Sequence, residues 1–264
     1  MCRVSPLFAV RLTGCVAVVL CLTLRVAHAG PPAVTEDQFD VVIAGGSTAA
    51  FAAALSAAEA GARTALIEPT DWVGGQLTSS GVPAIDEAWH SVRQGDGVSP
   101  YSVSKVARMP VNMTSGFLSL LQGIEQRGDC WVSRFCFCPD SFVVSQLEPL
   151  ERAAGGRLTV FRETVIKRVA LSEDGSRVAS FECIARQPQD GLLARGYDRL
   201  PSEDLSDWYS AADSERFTKR VIRFVSRAER PTVFIDATEW GEVLALSGRD
   251  YLQGIEQSDG SLQC

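Results

Sequence analysis

The sequence predicts an α/β fold. It has a strand–helix–strand unit at residues 39–68, an antiparallel β segment at 157–186, and a helical and loop insertion between them at about 91–154. Three observations carry that reading. Residues 39–44 are a short apolar run with β-branched members, bounded by Gly45-Gly46, as a buried strand is. Residues 47–60 hold eight alanines and no proline, a strongly helical composition, and Gly61 ends the run. Residues 64–67 form a second apolar strand ending at Glu68, while 158–161, 165–171 and 178–185 read as strands about the turn Glu173-Asp174-Gly175.

Strand, glycine turn, helix, strand and terminal acid is the order of a Rossmann-like, dinucleotide-binding βαβ unit. Each part has a physical task. Gly45 permits the tight turn out of the strand. The helix start at Ser47, Thr48 and Ala49 offers unpaired N–H groups and a positive dipole end to a pyrophosphate. Ala49, Ala50, Ala53 and Ala57 let the helix lie close to the sheet. Glu68 stands 23 residues after Gly45. That is near the ~20-residue spacing at which an acid accepts hydrogen bonds from a ribose, and it disfavours a 2′-phosphate.

Aligned on Gly45, the G-x-G-x-x-G pattern reads Gly45-Gly46-Ser47-Thr48-Ala49-Ala50. Alanine at the third glycine is an accepted variant. Serine at the second puts a Cβ where phosphates approach, with a hydroxyl that can donate to a phosphate instead. The bland reading of the turn is a small-residue connection packed for structure alone; the agreement of strand, helix, second strand and acid favours a dinucleotide.

Gly74-Gly75 follows Glu68 after five residues, in the stretch EPTDWVGGQLTSSG. Here the chain resembles FAD-dependent oxidoreductases of the glutathione-reductase-like group with two dinucleotide-binding domains, and most of all an exported bacterial-type group of them. The resemblance returns at 232–248, TVFIDATEWGEVLALSG, which is similar to that group's D-A-T-E-x-G-D segment near the flavin. It implies a Rossmann-like FAD/NAD(P)-binding fold with FAD as cofactor. It implies Gly74, Gly75 and Gln76 beside the pyrophosphate, Val165 holding the adenine through its backbone, and Ala237 and Thr238 beside the flavin. Asp236 is read equally as a cofactor-site residue or as a cap for a helix at 239–246, which Gly248 stops.

Residues 1–29 read as a secretory signal peptide. Arg3 and Arg11 precede a mainly apolar run at 12–24, and Ala27-His28-Ala29 is a small-x-small cleavage site before Gly30. The run is short for a membrane span, so an exported protein, periplasmic or secreted, without a stable membrane anchor is expected. Residues 30–38, with Pro31-Pro32, read as a linker, and 39–264 as the FAD-binding domain. Net charge is −7, which argues against nucleic acid as partner. Hydrophobic residues make up 46% and charged ones 22%, the balance of a folded domain.

Five cysteines follow the signal: Cys130, Cys136, Cys138, Cys183 and Cys264. The odd count suggests a free thiol, an intermolecular bond or a partner beyond the C-terminus, and Cys130 can pair with Cys136 or Cys138. No metal site is expected, because His90 is the one histidine beyond the signal and a fourth ligand is lacking.

The turn-rich stretch 77–101 follows the glycine pair, which in the resembled group approaches the flavin. Asp86 and His90, four residues apart, would share a helical face and could relay a proton. The alternative is a solvated helix start with Trp89 packed inward. Further on, an amphipathic helix is expected at 117–124, another helix at 142–154, a polar surface excursion at 187–216, and strands at 219–226 and 232–235.

The expected function is flavin-mediated hydride or electron transfer between a small-molecule substrate and an electron acceptor, neither of which the sequence identifies. The alternatives are a non-catalytic or truncated FAD- or nucleotide-binding protein and an NAD-linked dehydrogenase. Only 28 residues follow Asp236, too few for the last flavin-contacting segment of the resembled group, so a domain incomplete at its C-terminal end is expected.

Overall fold

The computed structural model describes residues 34–36, 38–85, 114–125, 135–192, 199–251, 255–256 and 262–263. The signal peptide, most of the linker, Asp86, His90 and Cys130 lie outside the described residues.

A parallel sheet forms the centre. Its strands are β2 (Val41–Ala44), β3 (Thr64–Ile67), β4 (Leu158–Phe161) and β8 (Val233–Asp236), in the order β4-β3-β2-β8. Helix α1 (Thr48–Glu59) crosses from β2 to β3. Its buried residues Ala50, Phe51, Ala54 and Ala58 recur at helical spacing and pack with Ile43 and Leu66 on one face of the sheet. Helix α2 (Ser115–Glu125) adds Leu121 and Ile124 to the same core.

The other face of the sheet carries a second sheet. Strands β5 (Thr164–Leu171), β6 (Val178–Pro188) and β7 (Phe217–Val225) form an antiparallel meander, with β1 (Val34–Glu36) parallel to β7. Val42, Ala44, Ala65 and Ile67 meet Ile166, Phe181, Ile222 and Phe224 across the interface. Side chains alternate along each strand, so Val42 and Ala44 reach this layer while Ile43 reaches α1. The Phe161 ring stands edge-on to Phe224 at 4.9 Å and to Phe39 at 5.8 Å between centroids, a favourable aromatic geometry. Helix, parallel sheet and meander are the three layers of a Rossmann-like α/β fold.

Four local departures have physical causes. Val34–Glu36, within the stretch read as a linker, pairs with Ile222–Phe224 as β1. The helix expected at 142–154 begins at α3 (Pro139–Phe142), widens into a π turn at Val143–Leu147 and resumes as α4 (Glu148–Ala153). Pro149 has no N–H for the carbonyl four residues back and its ring crowds that carbonyl, so the widened turn sits where the regular ladder fails. Residues 187–216 are no simple surface excursion. β6 runs through Pro188, and α5 (Pro201–Trp208) buries Asp204 and Trp208 against the meander. Helix α6 (Glu242–Leu246) starts three residues later than expected, because Gly241 takes a left-handed φ of 67° just before it. Chain order ends on the short pair β9 (Ile255–Glu256) and β10 (Leu262–Gln263).

Cys136 is disulfide-bonded, Cys138 is an exposed free thiol, and Cys183 is a buried thiol whose pKa burial pushes up. Among the described residues no helix is long and apolar enough to cross a membrane.

Candidate cofactor site

The site forms where the C-terminal ends of β2, β3 and β8 meet the start of α1. Gly45 leaves β2 with φ 88°, and a Cβ there would lie 2.7 Å from the Ala237 carbonyl oxygen and the Thr238 Cα. Only glycine lets the turn and the 237–238 backbone approach so closely. Ser47 caps α1: its Oγ accepts from the Ala50 N–H at 3.1 Å and donates to the Ala237 carbonyl at 2.9 Å. The serine hydroxyl thus ties the turn to β8. The N–H groups of Thr48 and Ala49 belong to the first helical turn, which has no intrahelical acceptors for them.

The second glycine pair folds back onto this turn. The Gly74 N–H donates to the Gly46 carbonyl at 2.7 Å, and the Thr48 hydroxyl donates to the Gly74 carbonyl at 2.8 Å. Gly74 and Gly75 have φ of 113° and 55°. A Cβ on Gly75 would sit 2.6 Å from a carboxylate oxygen of Glu239 and 3.0 Å from the Ser47 Cα. Gln76 follows in the short turn Gly75–Leu77, beside a cleft of about 270 Å³ lined by Thr48, Leu77, Val82, Ala84, Ile85 and Phe117. A larger cleft, about 340 Å³, runs from Ser172 to Phe234 between the meander and β8 and shares no residue with the glycine turns.

Glu68 is buried, 2% exposed, directly over the turn: a Cβ on Gly46 would lie 1.3 Å from its Oε2. Its Oε1 accepts from the Thr70 N–H at 2.6 Å and lies 2.8 Å from the Thr70 hydroxyl. Oε2 is buried without a hydrogen-bond partner among the described residues. Burial pushes the carboxyl pKa up to about 7, and the Thr70 bonds and Arg162 only partly oppose it. A buried acceptor left open beside a glycine turn suits a hydroxyl-bearing ligand.

Asp236 does cap locally. Its Oδ1 accepts from the Thr238 N–H and hydroxyl, and its Oδ2 from the Leu244 N–H at 3.2 Å. Val165 lies apart from this cluster. Its side chain is buried with Ile184, Trp208, Phe217 and Val221, and its backbone stands opposite Ile184. Glu163 at 163↔186 already bonds β6, since the Arg186 N–H donates to its carbonyl. By the alternation of an antiparallel ladder, Val165 faces β6 too, while the Thr164 N–H turns outward to the Glu68 carbonyl at 2.9 Å.

The structure therefore brings together Gly45, Gly46, Ser47, Thr48, Ala49, Glu68, Gly74, Gly75, Gln76, Ala237 and Thr238. Thr70, Glu163 and Arg186 escaped sequence reasoning. Thr70 carried a faint signal, a hydroxyl two residues past the acid; the other two meet only through the fold.

A glycine-cradled helix start, a second glycine pair closing on it and a buried acid at the next strand end define a dinucleotide-binding domain. The model of the FAD dependent oxidoreductase family matches residues 40–195, more than half of the chain, and the protein belongs to that family. The family binds FAD. No curated protein matched the chain.

The residues present fit that cofactor. The two glycine turns bring their backbones against Glu68, Ser47 and the 237–238 segment more closely than any side chain would allow, and Glu68 keeps a buried acceptor without a partner beside Gly46.

Proposed function

We propose that this protein is an exported FAD-dependent oxidoreductase of the glutathione-reductase-like type, moving hydride or electrons between a small-molecule donor and an acceptor. The observation that supports the reading best is the convergence of both glycine pairs and the buried Glu68 carboxylate on the first turn of α1. The first-turn N–H groups of α1 hold the pyrophosphate, Gly46 and Gly74-Gly75 let it approach, and Glu68 Oε2 accepts from the adenosine ribose. Val165, whose backbone stands in the ladder with β6, is not assigned the adenine. Ala237 and Thr238 hold the chain close to the flavin end. When bound, FAD supplies hydride and one-electron chemistry, and the protein supplies binding, orientation and exclusion of water. Asp86 and His90 are proposed as the proton-relaying pair on the substrate side. The FAD-binding domain includes β1 from Val34 onward, after a cleaved leader at 1–29.

The test is the reductive half-reaction. Anaerobic mixing of the FAD-loaded protein with candidate thiol, amine, alcohol and nicotinamide donors should bleach the flavin absorbance for at least one class, and air or a dye should restore it. Bound FAD that no donor class reduces would favour a non-catalytic nucleotide-binding protein. Preference for NAD over FAD in binding would favour the NAD-linked dehydrogenase. A His90→Ala protein with unchanged rate and pH profile would remove Asp86 and His90 from the chemistry.

A further inference from the structure

Arg186, near the end of β6, carries a guanidinium whose side chain is 1% exposed. Its charge is incompletely matched. Nη2 donates to the Pro69 carbonyl at 2.6 Å and pairs with the Glu163 carboxylate, while Nε and Nη1 are buried without hydrogen-bond partners among the described residues. The Trp208 ring from α5 closes the remaining side, with the guanidinium carbon 3.6 Å from the ring centroid. Trp208 Nε1 is buried and unpartnered as well. Tyr209, next in the chain, bonds Glu242 of α6 at 2.6 Å, tying the end of α5 to the segment after β8.

A buried, under-compensated cation is costly, and an apolar residue of similar volume would pack at less expense. What Arg186 touches gives it a purpose. Pro69 follows Glu68 directly. Glu163 holds a left-handed φ of 53°, strained for a residue with a side chain. The Glu163 N–H donates to the Thr70 carbonyl, and Thr70 in turn holds Glu68 Oε1. Arg186 thereby braces both backbone segments that flank the Glu68 carboxylate.

We propose that Arg186, sealed beneath Trp208 of α5, is a positioning residue for Glu68, and that Trp208 serves the adenosine subsite through it. The inference rests on the reading of Glu68 as the ribose acceptor. Arg186 does not touch the ribose itself; it fixes the Pro69–Thr70 backbone and the Glu163 turn so that Oε2 stays turned toward the glycine cradle. Removing Trp208 opens the guanidinium to water and loosens the same brace.

The test is a double-mutant cycle on FAD affinity, read by flavin fluorescence titration of the full chain, with melting curves to establish folding. Arg186→Met should raise the FAD Kd roughly tenfold, within the range of directly coupled neighbours. In a Glu68→Gln background the same change should raise it less than about twofold, because the group it positions is altered. Arg186→Lys, which keeps the charge but not the fork, should fall between. If Arg186→Met does not fold, Trp208→Leu carries the prediction, with a loss of about threefold that also vanishes beside Glu68→Gln. Wild-type affinity in Arg186→Met, or the same fold-loss with and without Glu68, would overturn the proposal. Wild-type protein that takes up no FAD would overturn the proposed function, and this inference with it.

Discussion

The ionisation of Glu68 ought to govern cofactor affinity in a way that pH can read. Burial raises its pKa to about 7, and its open oxygen Oε2 is the one a ribose hydroxyl would meet. A hydroxyl donates better to a carboxylate than to a protonated acid, so FAD binding favours the ionised form and releases a proton where Glu68 is still protonated. Affinity should therefore rise from pH 5 to about pH 7.5 and then level off. Two pH units below the pKa only about 1% of the acid is ionised, which sets roughly a hundredfold as the upper bound on the change in Kd. The charge-assisted hydrogen bond sets an independent scale: roughly 1.5–3 kcal/mol, or about ten- to hundredfold in Kd for Glu68→Ala above pH 8. Calorimetry in buffers of different ionisation enthalpy would count the released protons near pH 6.5. A Kd constant from pH 5 to 8, or an equal slope in Glu68→Gln, would refute the assignment of Glu68 as ribose acceptor.

Other outcomes follow from the same geometry. Gly46→Ala places a methyl on Glu68 Oε2 and should displace the carboxylate, lowering FAD affinity at least tenfold in a protein that still melts cooperatively. Without cofactor, Glu68 binds its proton more tightly folded than unfolded, so its contribution favours the folded state below pH 4.5 and is lost as pH rises to about 7. That loss is about 3 kcal/mol at most, and urea melts should show Glu68→Gln gaining on wild type between pH 5 and 8. Ser47→Ala removes both the α1 cap and the bond to Ala237; it should destabilise by about 1–2 kcal/mol in chemical denaturation.

The parts of the site that a sequence displays are those whose chemistry is local. Gly45-Gly46, the alanine-rich helix and Glu68 are legible because a tight turn, a close helix and a strand-end acid each need a residue type at a fixed spacing. Gly74-Gly75 became legible only through family resemblance, and the fold shows its physical reason: both glycines take positive φ against the first turn. Ser47 read as a hydroxyl able to donate to a phosphate, but in the fold that oxygen caps α1 and bonds the Ala237 carbonyl. The role of Arg186 was invisible because its partners come from 69, 163 and 208, which no periodicity links. Trp208 hid in a polar stretch, whose few aromatic residues do not disturb its composition, yet it closes a core. The π turn at Val143–Leu147 was masked by good helical patterning on either side of Pro149.

The two glycine turns and Glu68 are proposed to cradle FAD together. The direct measurement is the absorption spectrum of the purified protein after saturation with FAD and removal of the excess, with the cofactor released by denaturation and identified by chromatography. A flavin spectrum with FAD near one equivalent per chain is expected, largely lost in Gly46→Ala and weakened in Glu68→Ala. A colourless protein, or FAD retained equally by both variants, would contradict it.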